Sequence, residues 1–302
     1  MKTLRRKFTS TVSKFFYTRY TLVFVNGFLI ASLFYFYTED TYEKRIFESL
    51  ALYVKDKTPD TVNREEALIL NCLHLTHHLG DNRSSVFSVK EVTSFKASVI
   101  HPVTYDLMTT NGACGSYSYI LSRLLNELKI TNRIAQMKVK GKYGGHILVE
   151  AKTARGWIVL DGLYDLYFKK ADGELASFKD VQNNWNYYRD QVPVSYNHDY
   201  SYEAVRYTNW EKIPVVMPVI KGVLALTVGK EEANNFSLRT SFLRKFHLLF
   251  EITVFICVAL LGLAIRNYLR RNPGLSKKYL PRRLNKKKYL FVATNDVKEK
   301  RA

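Results

Sequence analysis

The chain has 302 residues and carries 46 Lys and Arg against 27 Asp and Glu, a formal net charge of +19. Its 47% hydrophobic content excludes a disordered chain, and its three cysteines, Cys72, Cys114 and Cys257, are too few for a disulfide scaffold. Residues 1–19 hold six cations and no acid, and residues 266–302 hold thirteen cations and two acids. A nucleic-acid-binding domain would instead spread cations over a folded face. We therefore interpret the charge as a membrane-topology signal.

The first apolar segment is formed by residues 20–38, nineteen residues without a charge. At about 1.5 Å per residue, a helix of this length nearly crosses a hydrocarbon core of about 30 Å. The segment ends in the aromatic residues 34–37, which suit the membrane interface, rather than in the small-residue cleavage site of a signal peptide. We expect a retained transmembrane helix.

Two amphipathic helices are predicted next. Apolar residues recur at helical spacing in residues 40–57, and a capping box marks the start of a second helix over residues 63–80. The second helix carries His74, His77 and His78 at i, i+3 and i+4 spacing. Because neither an acid nor a cysteine motif completes a metal site, we expect surface or partly packed histidines, and neither a metal nor a cofactor.

A third helix is predicted after the turn-forming residues 108–113, with Cys114 in its first turn. Residues 133–139 then alternate between apolar and polar side chains, as in a strand, and two further strands are predicted at 146–151 and 157–160. A helix followed by an antiparallel meander indicates an α+β fold.

The hairpin between the last two strands is predicted to bring His146 to Asp161. If its turn is centred between Thr153 and Ala154, these two residues lie directly opposite each other. Directly opposed side chains have Cβ atoms about 4.5 to 5.5 Å apart, whereas a shift of one residue would place them on different faces. Asp165 is an alternative partner, but it lies beyond the stretch that pairs with His146.

These residues have the properties of a thiol active site. The pKa of Cys114 is expected to be low, because a helix N-terminus and a neighbouring imidazolium both stabilise a thiolate. Cys114 would attack the substrate, His146 would exchange its proton, and Asp161 would orient the imidazole. The backbone N–H of Cys114 would donate to the oxyanion. The competing interpretation, a buried core thiol, is disfavoured by the order of the three residues.

At these positions the sequence resembles the transglutaminase-like core, part of the papain-like thiol superfamily. The resemblance extends over residues 109–168. Its motifs are Asn111-Gly-Ala-Cys114, Gly145-His146 and Gly156-Trp-Ile-Val-Leu-Asp161. It implies N-terminal helices, an antiparallel sheet, and an acyl-thioester mechanism with Cys114, His146 and Asp161 as catalytic residues. One departure is Gly162, where many members have proline. The family includes transglutaminases, cysteine proteases, peptide amidases and members without catalysis, so the substrate is not identified.

The chain ends in a second apolar segment and a basic tail. Residues 246–265 are apolar apart from Glu251, which lies about one turn from the outer end and can reach the interface. Within about twenty residues, Lys and Arg number six before and four after the first segment, and four before and seven after the second. The sequence thus predicts a two-pass inner-membrane protein. Its tails, 1–19 and 266–302, are cytoplasmic, and residues 39–245 are periplasmic or extracellular.

Two stretches have more than one interpretation. Residues 185–210 contain six tyrosines among polar residues, which suits either a binding surface for sugar or peptide or the packing of irregular loops. Residues 213–228 are apolar but are interrupted by Pro214, Pro218 and Lys221, which disfavours a membrane span. They are expected to form either an interfacial helix or a packed core helix.

Together these features predict a membrane-anchored, cysteine-dependent amide hydrolase or acyltransferase of the cell envelope. Its expected partners are the lipid bilayer and an envelope protein, peptide or polysaccharide-assembly component, and no nucleic acid. Hydrolysis is the simpler reaction, because acyl transfer requires the site to exclude water. The alternative is a non-catalytic envelope scaffold of the same fold.

Overall fold

The computed structural model describes residues 19–60, 63–84, 95–109 and 114–271. Residues 34–250 form one compact unit, and the described residues outside this range belong to another. Most of the two predicted basic tails lies outside the described residues.

Helices occupy the N-terminal part of the chain, and the longer ones were predicted from hydrophobic periodicity. α5 packs against α2 and against the sheet, with Leu121, Leu124 and Leu125 fully buried at i, i+3 and i+4 spacing. The helices that precede the sheet are α1 (Arg19–Lys57), α2 (Arg64–Ser84), α3 (Phe95–Val99), α4 (Val103–Thr109) and α5 (Cys114–Glu127).

A five-stranded antiparallel sheet follows, in the order β4-β3-β2-β1-β5. The three predicted strands are its centre, and the α+β class is confirmed. The strands are β1 (Asn132–Val139), β2 (Lys142–Thr153), β3 (Gly156–Asp161), β4 (Leu166–Tyr167) and β5 (Val205–Arg206).

The register of the β2–β3 hairpin differs from the predicted one. Val149 lies opposite Leu160. One pair further along the two strands, the residue opposite Asp161 is therefore Leu148 and not His146. The predicted direct opposition of His146 and Asp161 is therefore wrong. Because the shift is two residues and side chains alternate between faces, His146 stays on the same face as Asp161 and becomes its diagonal neighbour.

The turn of this hairpin explains the shift. It is formed by Ala154 and Arg155, so its centre lies one residue later than predicted. Thr153 Oγ1 accepts a hydrogen bond from the N–H of Arg155 at 3.2 Å and donates one to the carbonyl of Gly156 at 3.0 Å. Gly156 has a φ of +126°, a conformation that residues with a Cβ rarely adopt.

The two faces of the sheet are covered by different parts of the chain. On one face, Val149, Ile158 and Leu160 pack against buried residues of α1, α2 and α5. On the other face, Leu148 and Val159 pack against the segment that follows β3. Four tyrosines of that segment are buried, which favours the loop-packing interpretation for these residues: Tyr188, Tyr196, Tyr202 and Tyr207.

Short helices and one long helix complete the described chain. They are α6 (Phe178–Asn183), α7 (Trp185–Tyr188), a 3-10 turn (Arg189–Gln191), α8 (Val216–Val228), α9 (Lys230–Asn235), α10 (Leu238–Ser241) and α11 (Lys245–Arg271).

Within the described ranges, one helix is long and apolar enough to cross a membrane, and not two as predicted. It is the Lys245–Leu269 part of α11, whose most apolar stretch of 18 residues has a mean hydropathy of 2.7, and by length and composition it permits a single span. The predicted first span, residues 20–38, lies within α1, and as far as the structure describes it this helix is not among the candidate spans. Residues 20–38 themselves carry no charge, and Glu39 and Asp40 follow them directly in the same helix. The two-pass prediction is therefore wrong for the part of the chain that the structure describes.

Candidate active site

Cys114 is the first residue of α5, and its side chain is half-buried. Two serines near the start of α5 hold this end of the helix in place. Ser118 Oγ donates a hydrogen bond to the carbonyl of Ile147 in β2 at 2.9 Å, and Ser116 Oγ donates one to Asp106 Oδ1 in α4 at 2.6 Å. The helix N-terminus is thereby fixed against β2. Residues 110–113, which precede the cysteine, lie outside the described chain.

His146 and Asp161 form a buried pair. Nε2 of His146 lies 2.6 Å from Oδ2 of Asp161, and the two side chains are 0% and 1% exposed. The second carboxylate oxygen accepts a hydrogen bond from the N–H of Leu163 at 3.1 Å. The carboxylate is therefore held from two sides, and the pair predicted from the sequence forms despite the change of register.

Gly162, the departure from the family pattern, has a steric explanation. A Cβ at this position would lie 3.2 Å from the Cβ of Tyr117 in α5. Glycine allows the chain after Asp161 to run close to the helix that carries Cys114.

The electrostatics of the site favour a charged cysteine–histidine pair. Burial lowers the pKa of His146, but the charge and hydrogen bond of Asp161, together with Cys114, outweigh it and raise the pKa to about 9. Burial likewise acts to raise the pKa of Cys114, but the hydrogen bond and charge of His146 and the N–H of Ile147 outweigh it and hold the pKa below its ordinary value. Both shifts favour a thiolate beside an imidazolium near neutral pH.

The two ring nitrogens of His146 have different roles. Nε2 is used by Asp161, whereas the buried Nδ1 has no nitrogen or oxygen partner among the described residues. Nδ1 is thus the nitrogen that remains for the thiol of Cys114. An imidazole oriented on one side and open to a thiol on the other is the arrangement that activates a cysteine nucleophile.

Three tyrosines surround the imidazole, and the sequence did not indicate this role. Tyr200 stacks on the ring of His146, with centroids 4.2 Å apart and planes at 16°. Tyr164 lies 6.1 Å from the same ring, and Tyr196 packs against both tyrosines. The available signal was the density of tyrosine in residues 185–210, and it did not single out Tyr200.

Asp165, the alternative acid, binds a different histidine. Its carboxylate oxygens lie 2.7 and 2.8 Å from Nδ1 of His74 in α2, and this hydrogen bond raises the pKa of His74. Asp165 follows the end of β3 with a φ of +51°. Asp161 is therefore the partner of His146.

The histidines of α2 do not converge on one point. His74 binds Asp165, whereas Nδ1 of His77 lies 3.3 Å from the carbonyl oxygen of Gly162. Throughout the ranges that the structure describes, no group of three or more His, Cys, Asp or Glu side chains is placed to hold a metal ion.

Protein-family models, curated proteins and solved structures show no match to this chain. The resemblance to the transglutaminase-like core therefore stays a prediction from the motifs, as do the catalytic roles of Cys114, His146 and Asp161.

Proposed function

We propose that this protein is a membrane-anchored, transglutaminase-like thiol enzyme that acts on amide bonds in the cell envelope. One observation carries the proposal. Cys114 stands at the start of α5, half-buried, next to an imidazole that a buried carboxylate orients and charges. This combination of a low-pKa thiol and an oriented proton carrier is what acyl transfer to cysteine requires.

The reaction begins with attack of the Cys114 thiolate on the amide carbonyl carbon. The carbonyl π electrons move to oxygen, and the backbone N–H of Cys114 donates to the resulting oxyanion. As the oxyanion collapses, the C–N bond breaks, the amine leaves with the proton of His146, and a thioester remains. Water or a second amine then attacks the thioester, His146 takes its proton, and the thiolate is released.

The side of the membrane on which we place the reaction follows from α11 and from the charges after it. α11 supplies the anchor by its length and composition. Thirteen cations and two acids in residues 266–302 favour a cytoplasmic C-terminal tail. With a single span, the unit that contains Cys114 then lies on the periplasmic or outer side of an inner membrane. Proteins, peptides and polysaccharide-assembly components of the envelope are the substrates within reach.

One observation favours the alternative, a non-catalytic scaffold of the same fold. Tyr200 is stacked on the imidazole at 4.2 Å, which limits the space on that side of the ring. A scaffold would need the folded unit but not a reactive thiol.

Thiol reactivity separates the two functions. The full chain in detergent is treated with iodoacetamide between pH 5 and 9, and labelling is followed for each cysteine peptide by mass spectrometry. We expect Cys114 to react as a thiolate well below pH 8.5, the ordinary pKa of a thiol, and we expect His146→Ala to move its titration up towards that value.

Two residues of the chain, His74 and Cys72, serve as controls. His74→Ala removes the imidazole of the other histidine–aspartate pair and should leave the profile unchanged. Cys72 is fully buried, and burial raises its pKa to about 12, so it stays unlabelled while the protein is folded. A Cys114 that titrates near pH 8.5 with and without His146 would contradict the enzyme and favour the scaffold.

A further inference from the structure

α8 presents a row of apolar side chains to solvent. Of its thirteen residues, Met217 is buried. The exposed residues Val216, Val219, Ile220, Val223 and Leu226 follow i, i+3, i+4, i+7, i+10 spacing and so lie along one side of the helix. Leu226 is 90% exposed. The packed-core interpretation of residues 213–228 is therefore wrong.

A helix on the surface of a water-soluble domain would carry polar residues on this side. A continuous exposed apolar row instead marks a surface that binds another apolar surface. The helix is too short to span a bilayer, because thirteen residues at about 1.5 Å per residue cover less than a hydrocarbon core of about 30 Å.

The chain itself supplies the apolar surface. α11, the helix with the length and composition of a membrane span, begins at Lys245, and α8 ends at Val228. The sixteen residues between them include the short helices α9 and α10, which keep this connection compact. A bilayer crossed by α11 is therefore within reach of α8.

The neighbourhood of α8 suits a membrane interface. Lys221 lies over the ring of Trp210 at 6.0 Å. Tryptophan is enriched at the membrane interface, and a lysine there packs its apolar stem while its ammonium reaches the head groups. We propose that α8 lies in the plane of the membrane that α11 crosses, with the row from Val216 to Leu226 in the lipid interface. Such a contact would hold the folded unit against the bilayer whether or not Cys114 is catalytic.

A fluorescent reporter at the most exposed residue of the row tests this proposal. The full chain carrying Leu226→Trp is reconstituted at one copy per lipid nanodisc, in phosphatidylethanolamine and phosphatidylglycerol with and without brominated acyl chains. The signal of Trp157, Trp185 and Trp210 is subtracted with the parent protein. We expect the added emission to be blue-shifted and to lose most of its intensity in brominated lipid.

Val194→Trp is the matched control, because Val194 is 100% exposed and lies in a loop of the same unit. Its added emission should stay water-like and unquenched. In the Leu226→Trp protein, Val223→Glu should restore water-like emission, with Cys72 still unlabelled as a sign of folding.

Two outcomes would overturn the proposal. A Leu226→Trp emission that matches the Val194→Trp control would show that the row stays in water. A blue shift without bromine quenching that appears in nanodiscs prepared with two copies, and not in those with one, would show that a second copy of the chain covers α8. Either result leaves the thiol experiment unaffected.

Discussion

The two histidine–aspartate pairs of the folded unit have almost the same contact and very different surroundings. Nε2 of His146 lies 2.6 Å from Asp161, and Nδ1 of His74 lies 2.7 Å from Asp165. The side chains of the first pair are 0% and 1% exposed, whereas those of the second are 46% and 31% exposed. The thiol of Cys114 lies beside the imidazole of the first pair.

The difference shows that a histidine–aspartate contact does not by itself mark an active site. In the buried pair, water cannot screen the charges, so Asp161 raises the pKa of His146 against the effect of burial. In the exposed pair the pKa of His74 is also raised, chiefly by the hydrogen bond to Asp165, but solvent screens the interaction. Burial and the adjacent thiol distinguish the candidate site.

Removal of the carboxylate is expected to have the largest effect on stability. Asp161→Ala leaves His146 buried without its partner, and loss of one member of a buried pair typically lowers the free energy of unfolding by about 3 to 5 kcal/mol. Asp165→Ala should lower it by about 0 to 1 kcal/mol, because that pair is exposed. Denaturant unfolding of the two variants in the same detergent measures both values. Equal losses would contradict the comparison.

A substitution that removes only the charge of the aspartate should change the reactivity of Cys114 when it is made at Asp161, and not when it is made at Asp165. Asp161→Asn keeps the shape of the side chain but withdraws the charge that raises the pKa of His146 to about 9. The imidazolium is then lost at lower pH. Because His146 lowers the pKa of Cys114 more than the charge of Asp161 directly raises it, the net result is a rise in the pKa of Cys114. At a pH below the pKa of Cys114, each unit of this rise lowers the thiolate fraction about tenfold.

The measurement is the iodoacetamide profile of Cys114, with Asp165→Asn as the control. The control is expected to overlay the wild type from pH 5 to 9. A shift of equal size in the two variants would mean that net charge, and not the contact with His146, sets the pKa of Cys114.

A smaller loss of stability is expected when the ring that stacks on His146 is removed. Tyr200→Ala removes a ring that lies 4.2 Å from the imidazole, and stacked aromatic pairs contribute about 0.5 to 1.5 kcal/mol beyond their buried area. Tyr200→Phe keeps the ring and should retain the stability of the wild type. If both variants lose the same stability in denaturant unfolding, the hydroxyl and not the stack is what matters.

The smallest effect is expected at the exposed pair itself. His74→Ala should change the free energy of unfolding by about 0 to 1 kcal/mol, and the difference should shrink as salt is added, because an exposed pair is screened. Unfolding at two salt concentrations measures this. A loss of several kcal/mol that is independent of salt would show that the two pairs are energetically alike.

Much of the candidate site could be predicted because it depends on local patterns. Hydrophobic periodicity placed Cys114 at the start of a helix, and alternation placed His146 and Asp161 on neighbouring strands. The register was misjudged because the bonds of Thr153 within the turn were not visible in the pattern. The prediction of a shared face survived, because a shift of two residues preserves it.

Other features depend on contacts between distant segments. Tyr200 reaches His146 from 54 positions along the chain, and Asp165 is drawn to His74 in a helix 91 positions earlier. Neither partner is encoded by the residues next to it. The solvent exposure of the apolar row on α8 also follows only from what packs against the helix.

Local patterns were enough to predict the helices, the central strands, the α+β class and the candidate Cys, His and Asp, because periodicity and residue chemistry act locally. The pairing of each aspartate with its histidine, the ring that covers the imidazole and the exposure of the apolar segments follow instead from contacts between distant parts of the fold. These depend on burial, and burial is a property of the whole fold, because it is the surrounding segments that exclude water from a charge or leave an apolar side chain exposed.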